Sequence, residues 1–265
     1  MMKARWLIAP LAIWASQAQA EKDFCADRPG KSNPTCTLDA GKVQAEASLI
    51  DWSHSRDSDT IEDETLVGDL LVRYGLTRST ELRAGFTSYG IDRTRDRHSG
   101  EIDRQTGSGD LTLGVRQSLR DGGPSRGAAI SLQPFVTLPV GRTPIGAGTW
   151  GAGVIVPAQV FLSKAWSITV DPEVDAAPNE DGAGRHLAYA MVANLRWKAT
   201  QSLQLAGETY VRRDDDPGGH ETKASFDATA AYQLGKNAQI DVAAYAGLNP
   251  ATPRWQLLLG VAQRF

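Results

Sequence analysis

The chain predicts an all-β fold, a closed antiparallel transmembrane β-barrel of about twelve strands, and three observations lead there. Apolar and polar residues alternate along most of its length, the period of a strand with one apolar and one polar face. After residue 20 no stretch of the 265-residue chain reaches the roughly 18 uninterrupted apolar residues that a transmembrane helix needs. The last stretch, from Arg254 to Phe265, sets Trp255, Leu257, Leu259, Val261 and Phe265 on one face and Arg254, Gln256, Gly260 and Arg264 on the other. A barrel's last strand closes against its first while its outer face meets lipid. The alternative is the edge strand of a soluble β-sandwich.

The first twenty residues read as a leader. Lys3 and Arg5 form a basic start, Trp6 to Trp14 an apolar middle and Ala18-Gln19-Ala20 a small-residue cleavage site. This predicts a signal peptide over 1–20, an N-terminal segment over 21–41 and a barrel over 42–265. Without Lys3 and Arg5 the 28 basic residues become 26 against 31 acidic ones, a net charge of −5. That balance disfavours nucleic acid as a partner. The negative mean hydropathy does not exclude a membrane, because only alternate barrel residues face lipid.

Cys25 and Cys36, the two cysteines, fall in the segment before the first strand. In an exported chain a disulfide is the default, and no paired ligands nearby suggest a metal. Pro29-Gly30 and Asn33-Pro34 are turn signals that could bring the sulfurs together.

The strands follow in order. Val43, Ala45, Ala47 and Leu49 alternate with Gln44, Glu46 and Ser48. Leu66, Leu70, Val72 and Tyr74 are expected on the face opposite Thr65, Asp69 and Arg73. Leu82, Ala84 and Phe86 face away from Glu81, Arg83 and Thr87, and Leu111, Leu113, Val115 and Leu119 from Asp110, Thr112, Arg116 and Ser118. The pattern continues over 130–140, 150–162, 168–174, 187–197, 203–211, 226–234, 240–248 and 255–265. Connections at 77–79, 120–127, 163–166, 198–202 and 235–238 are mostly tight. Those at 53–62, 92–107, 141–149, 177–185, 214–222 and 249–253 are longer or more polar. Tight turns alternating with longer loops is the outer-membrane plan, and an even strand number puts both termini in the periplasm. Tyr74, Trp166, Trp197, Tyr232 and Phe265 would form one interfacial girdle and Trp150, Tyr189 and Trp255 the other.

Several short patterns resemble the outer-membrane transporter family named for the meta-pathway of phenol degradation. They are Cys25-Ala26-Asp27-Arg28-Pro29-Gly30 with Pro34-Thr35-Cys36, Gly41-Lys42-Val43-Gln44-Ala45-Glu46, Pro134-Phe135-Val136-Thr137-Leu138-Pro139, Gly207-Glu208, Asp241, Gly247-Leu248-Asn249, Pro253 and the Arg264-Phe265 ending. The resemblance implies an outer-membrane β-barrel and transport of small compounds, aromatic ones among them. It also makes terminal Phe265 the handle for the barrel insertion machinery.

The inward set would comprise Glu46, Asp69, Arg73, Arg83, Asp110, Arg116, Asp171, Glu173, Arg196, Glu208, Arg212, Asp227 and Asp241. These charges either line a polar conduit or pair across a lumen filled with side chains. Glu46 and Glu208 are each expected near an inward arginine, from Arg73, Arg83, Arg196 and Arg212. Asp92 to His98 reads as a solvated loop or a landing for lipopolysaccharide phosphates, and Asp214-Asp215-Asp216 as a solvated turn. His54, His98, His186 and His220 sit in predicted loops or at a strand end. No catalytic, cofactor or metal residue is assigned. The reading is a monomeric channel in the Gram-negative outer membrane, in contact with bilayer, lipopolysaccharide and a small solute. The alternatives are a sealed structural or adhesion barrel and a lipid-modifying enzyme.

Overall fold

A computed structural model describes residues 20–265; the leader expected over 1–20 therefore lies, except for Ala20, outside the described residues. Fourteen strand segments follow in chain order: β1 (Val43–Arg56), β2 (Thr60–Gly75), β3 (Thr80–Asp96), β4 (Ile102–Gly107), β5 (Leu111–Arg120), β6 (Ala129–Leu138), β7 (Gly151–Ile155), β8 (Ala158–Phe161), β9 (Trp166–Pro178), β10 (Arg185–Lys198), β11 (Leu203–Asp216), β12 (Gly219–Leu234), β13 (Ala238–Gly247) and β14 (Trp255–Arg264). β4 and β5 both pair with β3, and β7 and β8 both pair with β6 and β9. Each of these couples is one interrupted pass, so the wall has twelve passes. β1 pairs with β14 from Gln44↔Arg264 to His54↔Trp255, which closes the cylinder, and the Phe265 amide adds a bond of 2.8 Å to the Val43 carbonyl. Closure leaves an unpaired edge only beside β4, which pairs with β3 alone among the described residues.

The distribution of side chains is inside-out. The largest fully buried side chains are Arg73, Arg116, Gln44, Glu46, Glu81 and Glu208, while Leu70, Val72, Leu113, Val174, Met191, Val211, Phe226, Val242 and Leu257 are exposed. An apolar belt around a charged interior is unstable in water and suited to a bilayer. Together with the closed barrel, this belt places the chain in an outer membrane. Trp166 and Trp197 are direct cross-strand partners, stacked with centroids 5.5 Å apart, and Tyr74, Tyr232 and Phe265 stand exposed at the same end.

Connections 76–79, 121–128, 162–165, 199–202 and 235–237 share the end of the barrel that carries both the start of β1 and the end of β14; this is the turn end. At the opposite loop end the expected loops are shorter because the strands run on. Asp92–Gly107 is mostly a hairpin in which Gly90↔Gly107 to Arg95↔Ile102 pair. β1 and β2 likewise extend through 53–62, and β11 and β12 through 214–222. Backbone pairing persists there although neither face is apolar, so alternation gives no signal.

The register shifts between Ser48 and Ile50 and between Ser118 and Arg120. Leu49 is skipped between Ser48 and Ile50, leaving both Leu49 and Ile50 outside and Asp51 inside. At Gly68, φ is 65°, a left-handed conformation that suits glycine. Beyond it Leu66 faces the lumen, its side chain close to Gly90, rather than sharing the outer face of Leu70 and Val72 as alternation predicts.

Candidate functional site: the lumen and the segment inside it

Residues 20–42 do not extend the wall. They enter from the turn end, cross the barrel at mid-height and return. At the base, the Lys22 amide donates to Asp39 Oδ2 (2.7 Å) and its ammonium to Thr37 Oγ1 (2.8 Å). The Cys25–Cys36 disulfide closes the loop above, so the two cysteines are joined as the sequence implies. Polar side chains from strands around the barrel then meet this loop.

On one side the meeting point is Asp27. Its carboxylate lies 3.0 Å from Arg73 Nη1 and 2.8 Å from Arg116 Nη2, and it also pairs with Arg83. Burial alone would raise the Asp27 pKa, but the Arg116, Arg83 and Arg73 guanidinium groups outweigh it and hold the carboxyl well below the usual range. Glu46 and Glu81 complete the network: Arg73 reaches Glu46 at 3.1 Å and Glu81 at 2.9 Å, and Arg83 reaches Glu81 at 3.1 Å. Glu46 also accepts the Asp27 amide at 2.9 Å and the Arg28 amide at 3.1 Å.

The opposite wall is equally engaged. Arg28 pairs with Asp241 at 3.1 Å, its guanidinium lying where a Cβ on Gly260 would sit. Lys31 reaches Asp227 at 2.9 Å and lies 3.8 Å from the Tyr245 ring centre, a cation–π contact. Among the described residues Glu208 has no guanidinium partner, contrary to expectation. It accepts the Lys31 amide (2.8 Å), the Ser32 amide (3.3 Å) and Asn194 Nδ2 (2.6 Å), with Gly30 pressed against it. The Asn33 amide donates to Asp171 at 2.6 Å. An unsatisfied buried carboxylate is costly, and here much of the donation comes from the backbone of the inserted segment.

Thus Glu46, Arg73, Arg83, Arg116, Asp171, Glu208, Asp227 and Asp241 converge on residues 25–36. The remaining inward candidates sit elsewhere. Asp69 bonds Thr87 at 2.9 Å and borders a cavity. Arg212 pairs with Asp175 at 2.6 Å and approaches Glu173 at 3.8 Å. Asp110 anchors the loop after β6, accepting the Gly141 amide at 2.9 Å and the Ala147 amide at 2.7 Å. Arg196 borders a small cavity beside the segment, across from Phe24 and Arg28. Sequence reading assigned no inward role to Asp27, Arg28 and Lys31, and it left Glu81 out of the inward set although it placed Glu81 on the face of Arg83. The only signal for the first three is their charge inside a cysteine-closed loop that precedes a strand.

The filling is incomplete. A cavity of about 190 Å³ lies between Arg28, Ser48, Asp69, Leu71 and Tyr245, and one of about 70 Å³ between Phe24, Arg28, Asn194, Arg196 and Glu208. A third, about 160 Å³, is lined by Leu71, Arg83, Gly85, Thr112, Gly114, Gln133, Phe135 and Ile155. Among the described residues no three His, Cys, Asp or Glu side chains are grouped to hold a metal. At the loop end, His54 lies 2.8 Å from Asp63 and His186 lies 3.2 Å from Asp216.

The family model described as "Putative MetA-pathway of phenol degradation" matches residues 26–265. No curated protein sequence matches the chain. Among solved structures, an outer membrane channel from Pseudomonas putida F1 is similar with a TM-score of 0.71 and 17% identity, over 90% of this chain and 99% of that one. The translocator domain of the autotransporter NalP from Neisseria meningitidis gives 0.51 and 13%, over 84% and 88%. The transport unit of the autotransporter AIDA-I from Escherichia coli gives 0.51 and 8%, over 84% and 89%. At these identities the likeness is one of fold.

Proposed function

This chain belongs to the family described as "Putative MetA-pathway of phenol degradation", and on that footing we propose that it is an outer-membrane channel for passive movement of small molecules, aromatic compounds among them. The observation that carries the proposal is how the lumen is closed. The closing element is residues 20–42, a segment outside the strand ladder. Side-chain pairs and single backbone amides hold it at mid-barrel, and cavities flank it. Polar contacts of this kind can be exchanged for water when the segment shifts, whereas a wall strand cannot leave without breaking the barrel. The name of the Pseudomonas putida relative, an outer membrane channel, supports the same reading.

In this proposal the turn end and both termini face the periplasm and the loop-end hairpins face outward. There the charged rim, with Arg93, Arg95 and Arg97, meets lipopolysaccharide. Completed pairing around the wall supports a monomer, which the barrel insertion machinery would deliver. The channel performs no chemistry of its own. The second reading, a sealed barrel, draws on the number of ion pairs around Asp27. Flux into proteoliposomes separates the two. Protein-dependent permeation of small neutral and single-ring aromatic solutes is expected. Liposomes that stay impermeable at high protein load would establish the sealed barrel.

A further inference from the structure

Lys31 belongs to the inserted segment, but its side chain ends in a site built by the wall. Tyr210 on β11, Ser225 and Asp227 on β12 and Tyr245 on β13 make that site from three adjacent strands. Tyr210 and Ser225 are direct cross-strand partners, as are Asp227 and Tyr245, so the ladder holds the four as one patch. Ser225, Asp227 and Tyr245 are buried. The Lys31 ammonium donates to Ser225 Oγ and to Asp227 Oδ2, both at 2.9 Å. Its nitrogen lies 3.8 Å from the Tyr245 ring centre and 5.0 Å from the Tyr210 ring centre. A carboxylate, a hydroxyl and two aromatic faces around one nitrogen recognise an ammonium group by charge, hydrogen bonding and cation–π attraction.

Three features distinguish this patch from an ordinary buried ion pair. Asp227 Oδ1 is buried and has no hydrogen-bond partner among the described residues, so the carboxylate can accept a further N–H. The Lys31 side chain is 25% exposed, which leaves its site within reach of lumen water. Tyr245 also lines the cavity of about 190 Å³, together with Leu71, Leu258 and Asp69. Asp69 bonds Thr87 and has no ion-pair partner among the described residues. An apolar cavity of about 150 Å³ admits benzene, so this one has room for a single ring, with a carboxylate nearby to favour a cation.

We propose that this patch binds small primary amines, single-ring or short-chain ammonium ions, and that Lys31 occupies it as a tethered ligand. The ammonium of the solute takes the place of the Lys31 ammonium on Asp227 and Ser225. Its apolar body lies against Tyr245 in the neighbouring cavity. An amine bound there removes one of the side-chain contacts that hold the inserted segment, so amine binding and release of the segment are linked. Lys31 is held at the site by its own chain, and a free amine therefore competes at a disadvantage. The proposal rests on the channel reading above for the arrival of the amine, and it adds a solute class and the residues that hold it.

Benzylamine is the probe, and benzyl alcohol, which carries the ring without the charge, is the control. The full chain, folded in detergent, is titrated with each by calorimetry as the native protein, as Lys31→Ala, and as Lys31→Ala with Asp227→Asn. Heat-modified mobility on gels reports that each barrel is folded. Lys31→Ala should bind benzylamine saturably, about tenfold or more tightly than the native chain, and should not bind benzyl alcohol. Adding Asp227→Asn should weaken benzylamine binding by at least about tenfold. Should Lys31→Ala fail to fold, hydrogen exchange on the native chain carries the test. Benzylamine should then accelerate exchange at the Lys31, Ser32 and Asn33 amides, while benzyl alcohol and potassium chloride at the same concentration should not. No saturable binding to folded Lys31→Ala, binding undiminished by Asp227→Asn, or native exchange unchanged by benzylamine overturns the site. None of these measurements needs flux, so a barrel that binds benzylamine and passes no solute would overturn the channel reading alone.

Discussion

Asp27→Asn should release the inserted segment while leaving the barrel intact. The Asp27 side chain is 11% exposed and meets Arg73 at 3.0 Å, Arg116 at 2.8 Å and Arg83. Without its charge, Arg73 keeps Glu46 and Glu81, Arg83 keeps Glu81, and Arg116 keeps Gln133 at 2.9 Å and Glu81 at 3.5 Å. The wall's own pairs therefore survive, and the loss falls on the attachment of the segment. Breaking a buried charge pair costs about 3–5 kcal/mol. Because 1.4 kcal/mol is tenfold in an equilibrium, the unseated fraction should rise on the order of 10²- to 4 × 10³-fold. Hydrogen exchange of the amides of residues 25–36 reads that fraction directly, and heat-modified mobility on gels reads the barrel. The expected result is faster exchange confined to the segment with unchanged barrel mobility. Unchanged exchange would refute the assignment of Asp27 as the principal anchor. Loss of the folded barrel would refute the separation of segment from wall.

The remaining predictions concern the same two parts. Replacing Cys25 and Cys36 by serine removes closure of the loop, worth about 2–3 kcal/mol in the chain-entropy model; proteolysis within 25–36 should accelerate while the heat-modified barrel band persists. Leu113→Arg places a charge in lipid and should destabilise the barrel by about 2–4 kcal/mol in urea titration. Thr112→Arg, on the lumen face opposite Thr137 (3.1 Å), should cost less. The folded pKa of Asp27 is depressed, so its contribution is complete above the ordinary carboxylate value of about 3.9 and is lost only as pH falls through the lower folded value. The effect of Asp27→Asn on the protection factors of the segment, which correct for the intrinsic pH dependence of amide exchange, should accordingly be the same at about pH 7 and about pH 5, a window above both values.

Alternation revealed the wall because lipid and lumen impose opposite demands on successive residues. Leu111, Leu113 and Val115 against Thr112 and Arg116 show it clearly. It failed where those demands lapse. The hairpin around Arg93 and Arg104 projects beyond the apolar belt and is polar on both faces, so pairing there left no periodic trace. At Leu66 the faces are exchanged next to Gly68, whose φ is 65°. The lumen was half legible. Inward charges could be named from strand parity, but their partners could not, since Arg28 and Asp241 are 213 residues apart. The Glu208 partners show why: two of its donors are backbone amides, at Lys31 and Ser32, and every non-proline residue carries such a donor whatever its side chain. The two cysteines and the Pro-Gly turns marked residues 25–36 as a compact loop, without indicating that it sits inside the barrel.

Single-channel conductance in a planar bilayer tests the central claim, that residues 20–42 close an otherwise open barrel. The native chain should give small current steps with long silent periods, and a chain lacking residues 22–40 should give larger, steadier steps in the same salt. Equal conductance in the two would contradict the account, because the wall or its loops, and not the inserted segment, would then set the passage.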